Sequence, residues 1–136
     1  RAVAKRLNAA LAIVDKRRSG PNKSSAMAII GDVTGKTAIL YDDMVDTAGT
    51  ITEAASAILK QGAKVVHAFC VHAVLSGPAL ERIDGSSLSS VVCTDTIPLT
   101  DKVDKCGKIK VLSIANLVGE AIIRSYTGAS VTSLFV

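Results

Sequence analysis

The chain has 136 residues, 49% of them hydrophobic and 21% charged, which is typical of one globular domain with enough sequence for a real core. The formal net charge is +4, but aromatic residues make up only 3% of the sequence, so platforms for base stacking are lacking. No apolar run approaches the roughly 20 residues that span a bilayer. The composition therefore argues against nucleic-acid and membrane partners and favours small phosphorylated molecules.

The chain begins abruptly, since Arg1 to Leu7 has helical character with no capping residue before it. This beginning predicts a piece of a longer protein. An apolar run at Leu11 to Val14 predicts the first strand, and a compact basic cluster follows it at Lys16, Arg17 and Arg18. Composition alone favours a solvated basic turn there. The functional alternative is a loop that closes over phosphates, because the next residues are polar and include glycine and proline.

The most informative segment is an apolar run, Thr37 to Tyr41, that meets two adjacent acids, Asp42 and Asp43. Such an order places the acids at the carboxyl edge of a parallel sheet. There, carboxylates accept hydrogen bonds from the vicinal hydroxyls of a ribose. A strand-ending acidic turn is the structural alternative, but it does not explain the loop that comes next.

That loop consists of small and hydroxyl residues and precedes a helical pattern that begins near Ile51. Its members are Thr47, Ala48, Gly49 and Thr50. They bring backbone N–H groups and two hydroxyls close to an anion, and the helix aims its positive end at the same point. The acids and the loop together predict a cradle for the diol and the phosphate of one sugar phosphate.

Two further apolar runs, Val65 to Val71 and Val91 to Thr94, predict strands that alternate with helical patterns. Apolar residues repeat at helical spacing from Ile51 to Leu59, and again from Ile114 to Ile122. This alternation predicts an α/β fold with a mainly parallel sheet flanked by helices. No internal repeat or interdomain linker interrupts it.

Neither the cysteines nor the histidines form a ligand pattern. Cys70, Cys93 and Cys106 are odd in number and lack C-x-x-C spacing. They predict buried thiols in a reducing compartment, and no metal cluster is assigned. His67 and His72 have no Cys or carboxylate at ligand spacing and predict structural histidines.

The central segment, DDMVDTAGTI from Asp42 to Ile51, resembles the ribose 5-phosphate motif of the phosphoribosyltransferase fold. Its particular sequence is similar to the corresponding motif of the ribose-phosphate pyrophosphokinase family. Other segments resemble the same family in the same order: DKRR at Asp15 to Arg18, GDV and GK around Gly31 to Lys36, VLSGPALERI at Val74 to Ile83, TDTIPL at Thr94 to Leu99, and GEAIIRSYTGASVTSLF near the end. The resemblance therefore covers nearly the whole chain.

The resemblance implies a type I phosphoribosyltransferase-like fold that here lacks its first strand and an N-terminal domain. Residues 1–136 are then the carboxyl-terminal domain of a longer two-domain enzyme. The implied reaction moves the diphosphoryl group of ATP to the anomeric hydroxyl of ribose 5-phosphate, giving phosphoribosyl pyrophosphate and AMP for nucleotide biosynthesis. A Mg²⁺ cofactor, a homohexamer and a cytoplasmic or organellar location are also implied.

By the same resemblance, Lys16 and Arg18 match a catalytic cationic finger on a flexible loop. Such a finger suits diphosphoryl transfer, which needs mainly electrostatic placement of charged oxygens. The loop departs from the family at Ser25, where related sequences often have Glu. Its closing contacts are therefore expected to differ.

The resemblance also implies roles for other residues. Asp42 and Asp43 are expected to bind the ribose hydroxyls, and Asp46 is expected to orient the 5-phosphate loop. Ser130 and Thr132 match an allosteric phosphate or ADP site, with a polar strand end as the structural alternative. The adenine pocket and the catalytic His of the family belong to the other half of the enzyme.

Two other functions stay open at this stage. One is a phosphoribosyltransferase that consumes phosphoribosyl pyrophosphate with the same fold. The other is a non-catalytic, synthetase-associated regulatory subunit. The DKRR, SGPA and SVTSLF segments favour the pyrophosphokinase over an ordinary transferase, and the retained basic and acidic motifs argue against a regulatory subunit.

Overall fold

The computed structural model describes residues 1–17 and 26–135. Its elements follow in chain order: α1 (Ala2–Arg6), β1 (Ile13–Arg17), β2 (Ala26–Ile30), β3 (Thr37–Val45), α2 (Gly49–Lys60), β4 (Val65–Ala73), α3 (Ala79–Asp84), β5 (Ser90–Thr94), α4 (Thr100–Val103), β6 (Ile109–Leu112), α5 (Ala115–Thr127) and a 3₁₀ helix (Thr132–Phe135). The alternation confirms the predicted α/β class. Within the described ranges, no helix is long and apolar enough to cross a membrane.

The main sheet holds β3, β4, β5 and β6 in that order, and every neighbouring pair is parallel. Because the strand order follows the chain order, each crossover steps in the same direction. Right-handed crossovers then place their helices on one face, and α2 and α3 do contact each other. The carboxyl ends of all four strands meet at one edge, where open α/β sheets bind ligands.

The core lies between the main sheet and these helices. Along β4, Val66, Ala68 and Cys70 are buried, whereas the residues between them are half-buried. This is the period-two alternation of a strand that is covered on one face. The predicted helical stripe of α2 supplies the facing side chains, which are Ile51, Ala54, Ala55 and Ile58.

The opposite face of the sheet is partly open in the described part of the chain. Tyr41 stacks on Phe69 there, with ring centroids 5.5 Å apart. Ile39 and Tyr41 remain 58% and 53% exposed. Strands of parallel sheets are ordinarily covered on both faces, whereas β3 leaves these side chains largely uncovered.

One strand prediction was wrong. The run Leu11 to Val14 was expected in the parallel sheet, but β1 begins at Ile13 and pairs antiparallel with β2 in a separate hairpin. Antiparallel strands can be joined by a short loop, whereas a parallel pair needs a crossover of roughly a dozen residues. The chain between β1 and β2 is shorter than such a crossover, so these two consecutive strands pair antiparallel with each other.

The strand that carries the acids is longer than predicted. The strand was expected to end at Tyr41, but β3 continues to Val45. Asp42 and Asp43 therefore lie within the strand rather than after it. Pairing with β4 continues through Ala73, which is the partner of Val45. Burial of Val45 anchors this extension.

The last predicted helix is present as α5, and Gly128 ends it with φ +70°. Its apolar stripe is exposed, however, since Leu117, Val118 and Ile122 are 51%, 44% and 63% accessible. No residue of α5 is buried. The helix therefore forms without packing its stripe on the described core.

The prediction that the three cysteines are buried is confirmed. Cys70, Cys93 and Cys106 are free thiols that are all buried. Each histidine has a hydroxyl partner, because His67 Nδ1 lies 2.8 Å from Ser90 Oγ and His72 Nδ1 lies 3.0 Å from Thr96 Oγ1. These contacts are consistent with the predicted structural role of the histidines.

Candidate functional site

A cavity of about 230 Å³ lies where β3 ends and α2 begins. Its lining residues are Asp42, Met44, Val45, Asp46, Thr47, Ala48, Gly49, Thr50 and Ile51. The structure thus brings together all of the predicted sugar-phosphate residues except Asp43. The cavity joins a carboxylate, two threonine hydroxyls and a helix start within one short stretch of chain.

The two adjacent acids point to different sides of β3, as successive residues of a strand do. Asp42 lines the cavity, and Asp43 is not among the lining residues. The Asp43 N–H donates a hydrogen bond to Asp42 Oδ1 at 2.9 Å, which fixes the orientation of the Asp42 carboxylate. Of these two adjacent acids, only Asp42 lines the cavity, and the backbone N–H of its neighbour holds its carboxylate.

Cys70 pairs with Asp42 across the sheet. Burial raises the pKa of the Cys70 thiol to about 11, and the charges of Cys93 and Asp42 add to the shift. The thiol therefore stays protonated at neutral pH and contributes packing rather than a nucleophile.

The start of α2 is open to an anion. Its N-cap residue, Ala48, makes no side-chain capping hydrogen bond, and the first turn carries no acidic residue. The first N–H groups of a helix have no acceptor within the helix, and they carry the positive end of its dipole. Ala48 itself is buried and adopts a left-handed backbone with φ +59°. Only a small side chain fits this combination without a large strain.

Asp46 is held by the segment that follows β4. The Ser76 hydroxyl donates to Asp46 Oδ1, and the Ser76 N–H donates to Asp46 O at 3.1 Å. Just before it, the N–H groups of Val74 and Leu75 donate to Val45 O at 3.0 and 3.2 Å. The loop after β3 is therefore hydrogen-bonded to the loop after β4.

A second contact to the cavity comes from α3. Arg82 Nη1 donates to Thr47 O at 2.9 Å. No sequence pattern predicted a role for this side chain, although it lies in the segment VLSGPALERI. A lone exposed arginine on a short helix carries no local signal of its target, which is 35 positions away in sequence.

A family model described as a phosphoribosyl synthetase-associated domain matches residues 4–136. The chain belongs to this family. It is similar to a ribose-phosphate pyrophosphokinase of Bordetella pertussis, with 56% identity over 99% of the chain and 44% of that relative. It is also similar to a ribose-phosphate pyrophosphokinase of Nitrosomonas europaea, with 53% identity over 100% of the chain and 43% of that relative.

Among solved structures, this phosphoribosyl synthetase-associated domain is similar to the crystal structure of phosphoribosylpyrophosphate synthetase from Mycobacterium smegmatis. The TM-score is 0.82 and the identity 38%, over 93% of this chain and 40% of that one. The chain thus spans less than half the length of the relatives that it matches.

The predicted cationic finger lies mostly outside the described residues of this phosphoribosyl synthetase-associated domain. Lys16 is placed by its backbone in β1, opposite Met27. Arg18 and Ser25 fall in the range 18–25, outside the described residues. The roles of both basic residues stay predictions.

The predicted regulatory pair lies away from the cavity lining. Ser130 Oγ and Thr132 Oγ1 are 3.2 Å apart, and the Thr132 N–H donates to Ser130 Oγ at 3.3 Å. Arg124 donates to Ser130 O at 3.1 Å and also contacts the Ser133 hydroxyl. These groups form a small hydroxyl cluster at the end of α5 in the phosphoribosyl synthetase-associated domain.

Across the described ranges of the domain, no group of three or more His, Cys, Asp or Glu side chains is placed to hold a metal ion. The cavity does offer the Asp42 carboxylate as an oxygen donor. Asp46 also lines it, but one of its oxygens already accepts the Ser76 hydroxyl. Mg²⁺ is commonly bound through one or two carboxylates together with substrate phosphates and water.

Proposed function

We propose that the chain is the ribose 5-phosphate binding domain of a ribose-phosphate pyrophosphokinase. The whole enzyme then transfers the diphosphoryl group of ATP to the anomeric hydroxyl of ribose 5-phosphate. The cavity at the end of β3 carries the proposal, because one oriented carboxylate and one open helix start line the same space. The names of the relatives support the same reaction.

In this proposal the two ends of the sugar meet different parts of the cavity. The 5-phosphate accepts hydrogen bonds from the first N–H groups of α2 and from the Thr47 and Thr50 hydroxyls. Asp42 accepts hydrogen bonds from the ribose hydroxyls, and Asp43 assists from the neighbouring position. The binding energy of the phosphate thus holds the reacting hydroxyl in place for the transfer.

The proposed catalytic residues are Lys16 and Arg18. Negative charge develops on oxygens around the transferred phosphorus, and long cationic side chains stabilise it without a rigid site. Mg²⁺ fits the donor set, since it binds through one or two carboxylates together with substrate phosphates and water, and Asp42 is the residue placed to take part. When bound, the ion neutralises charge on the phosphates.

The finer organisation of the enzyme is also part of the proposal. The chain acts as the carboxyl-terminal, type I phosphoribosyltransferase-like domain, and the rest of the enzyme supplies its first strand and an N-terminal domain with the adenine pocket. Its coverage of only 44% of a relative supports this. We further propose a cytoplasmic homohexamer in which Ser130 and Thr132 bind a regulatory phosphate or ADP.

The test is an assay of phosphoribosyl pyrophosphate formation by the full-length enzyme, with ATP and ribose 5-phosphate as substrates. Lys16→Ala and Arg18→Ala are expected to lower kcat far more than they raise the KM for ribose 5-phosphate, because the finger acts mainly in the transition state. Lys64→Ala is the matched control, since Lys64 is an exposed lysine beside the amino end of β4. Absence of product with the wild-type enzyme would contradict the proposed activity. A rise in the KM as large as the fall in kcat would contradict the proposed catalytic role of Lys16 and Arg18.

A further inference from the structure

The loop that lines the cavity is strained and gains its support from outside. Ala48 adopts a left-handed backbone, φ +59°, which is sterically unfavourable for a residue with a Cβ. Such conformations persist where surrounding contacts over-determine them, and they cluster at ligand sites. The contacts that hold this loop therefore decide whether its N–H groups are ready for an anion.

Arg82 makes the contact nearest to the strained residue. Its Nη1 donates to Thr47 O at 2.9 Å, one peptide bond before Ala48. In a trans peptide, the carbonyl of one residue and the N–H of the next point in opposite directions, and the described chain has no cis peptide. By fixing the Thr47 carbonyl, Arg82 also fixes the direction of the Ala48 N–H at a residue that lines the cavity.

The base from which Arg82 extends is itself firmly held. Its helix, α3, is short, but two residues of this helix, Ala79 and Ile83, are fully buried. Lys108 Nζ donates to the carbonyls of Ile83, Asp84 and Ser86 at 3.3, 2.7 and 2.8 Å. A cation at the carboxyl end of a helix satisfies its last carbonyls and opposes its dipole.

The other end of the same segment is held as well. Lys102 Nζ donates to Val74 O at 2.7 Å and to Leu75 O at 3.1 Å. Leu75 is buried and has a left-handed backbone with φ +49°, so this turn too depends on outside contacts. Lysine side chains therefore hold both ends of the segment 74–86. Between these ends, Ser76 and Arg82 donate hydrogen bonds to the loop that lines the cavity.

From these contacts we infer that Arg82 is a positioning residue, which orders the phosphate loop at residues 46–50 and so sets its affinity for the 5-phosphate. The inference rests on the proposed function for the identity of the ligand. The ordering of the loop does not depend on it. A positioning role differs from simple attraction of an anion, because it acts through the hydrogen bond from Arg82 Nη1 to Thr47 O and not merely through a positive charge.

The first measurement follows the loop without any ligand. Backbone ¹⁵N relaxation of the chain is compared for the wild type, Arg82→Met and Arg82→Lys. The order parameters of residues 47–50 are expected to fall from about 0.85 toward 0.6 or lower in both variants, while those of β4 stay unchanged. Arg6→Met is the matched control, since Arg6 is also an exposed arginine that donates to a distant carbonyl, Phe135 O at 2.8 Å.

The second measurement is calorimetric titration of the same proteins with ribose 5-phosphate. Arg82→Met and Arg82→Lys are each expected to weaken binding about tenfold, and Arg6→Met is expected to bind as the wild type does. Unchanged order parameters in Arg82→Met overturn the inference whatever the ligand. Full affinity in Arg82→Lys with a loosened loop also overturns it, because charge alone then suffices. A wild-type chain that binds no ribose 5-phosphate, together with a loop that loosens in Arg82→Met, supports the positioning role and contradicts the proposed function.

Discussion

Asp46 and Ser76 join the two loops at the carboxyl edge of the sheet through a pair of hydrogen bonds. The Ser76 hydroxyl donates to the Asp46 carboxylate, and the Ser76 N–H donates to Asp46 O at 3.1 Å. The carboxylate is therefore engaged within the protein. It orients the loop beside the helix start that is proposed to bind the phosphate, where a carboxylate turned toward the anion would repel it.

Removal of the Ser76 hydroxyl tests this arrangement. Ser76→Ala is expected to weaken ribose 5-phosphate binding about three- to tenfold, because a hydrogen bond to a charged group is lost and the Asp46 carboxylate is released toward the cavity. Calorimetric titration measures the affinity. Ser89→Ala is the control, since Ser89 is an exposed serine in the next connection along the chain. Equal affinities for the two variants contradict the role of Ser76.

Asp42 is expected to discriminate between the sugar and the bare anion. Asp42→Asn keeps the shape of the side chain but weakens its acceptor strength for hydroxyls, so binding of ribose 5-phosphate falls about tenfold or more. Binding of inorganic phosphate should stay equal or improve, because the substitution removes the negative charge of the Asp42 carboxylate from the cavity lining. Asp104→Asn, at an exposed position outside the cavity lining, should change neither. Equal losses for both ligands contradict the role of Asp42 as the diol acceptor.

Ile83 anchors α3 and therefore the contacts that this helix makes. Its side chain is fully buried, so Ile83→Ala is expected to lower the free energy of unfolding by about 2–5 kcal/mol. Ile122→Ala, at a side chain that is 63% exposed, is expected to change it by less than about 0.5 kcal/mol. Urea denaturation followed by circular dichroism gives both values. Similar losses in the two variants contradict the described core.

Asp95 connects the end of β5 to the start of α5, and its titration reports that contact. A hydrogen bond from the Ser113 hydroxyl has the largest effect and holds the pKa of Asp95 below its ordinary value of 3.8. A hydrogen bond from the Ile114 N–H at 2.9 Å lowers this pKa further. A folded-state pKa below the unfolded one stabilises the fold above pH 3.8, and this contribution is lost as the pH falls through the folded-state pKa.

Ser113→Ala should therefore raise the pKa of Asp95 toward 3.8 and shift the loss of that contribution to higher pH. Carboxyl ¹³C chemical shifts measured against pH follow the group directly. Ser125→Ala is the control, because the Ser125 hydroxyl donates to Ala121 O within α5. An unchanged pKa in Ser113→Ala shows that the serine does not stabilise the carboxylate.

The lining of the cavity was predictable because it is contiguous in sequence. Asp42, Asp46 and the small residues up to Thr50 follow a strand and open a helix, so local rules place them together. The contacts from Ser76 and Arg82 were not predictable in this way. They arise from the parallel register that sets Val45 beside Ala73, and a register is a property of two distant segments.

The strand errors have a similar origin. An apolar run at Leu11 to Val14 predicts a strand but not its partner, and the partner, Ala26–Ile30, was not recognised because it has no alternating pattern. The pattern of α5 predicts a helix correctly, but it does not show that Leu117 and Ile122 stay exposed. Periodicity indicates which face is apolar, whereas burial depends on what lies opposite.

The central claim is that the cavity at the end of β3 binds ribose 5-phosphate through the start of α2. The most direct measurement is calorimetric titration of the folded chain with ribose 5-phosphate, ribose and inorganic phosphate in the presence of Mg²⁺, with amide chemical shifts recorded in parallel. We expect saturable binding of ribose 5-phosphate that is tighter than the binding of ribose or of inorganic phosphate, with the largest shifts at Thr47 to Thr50. A folded chain that does not bind ribose 5-phosphate, or shifts centred elsewhere, would contradict it.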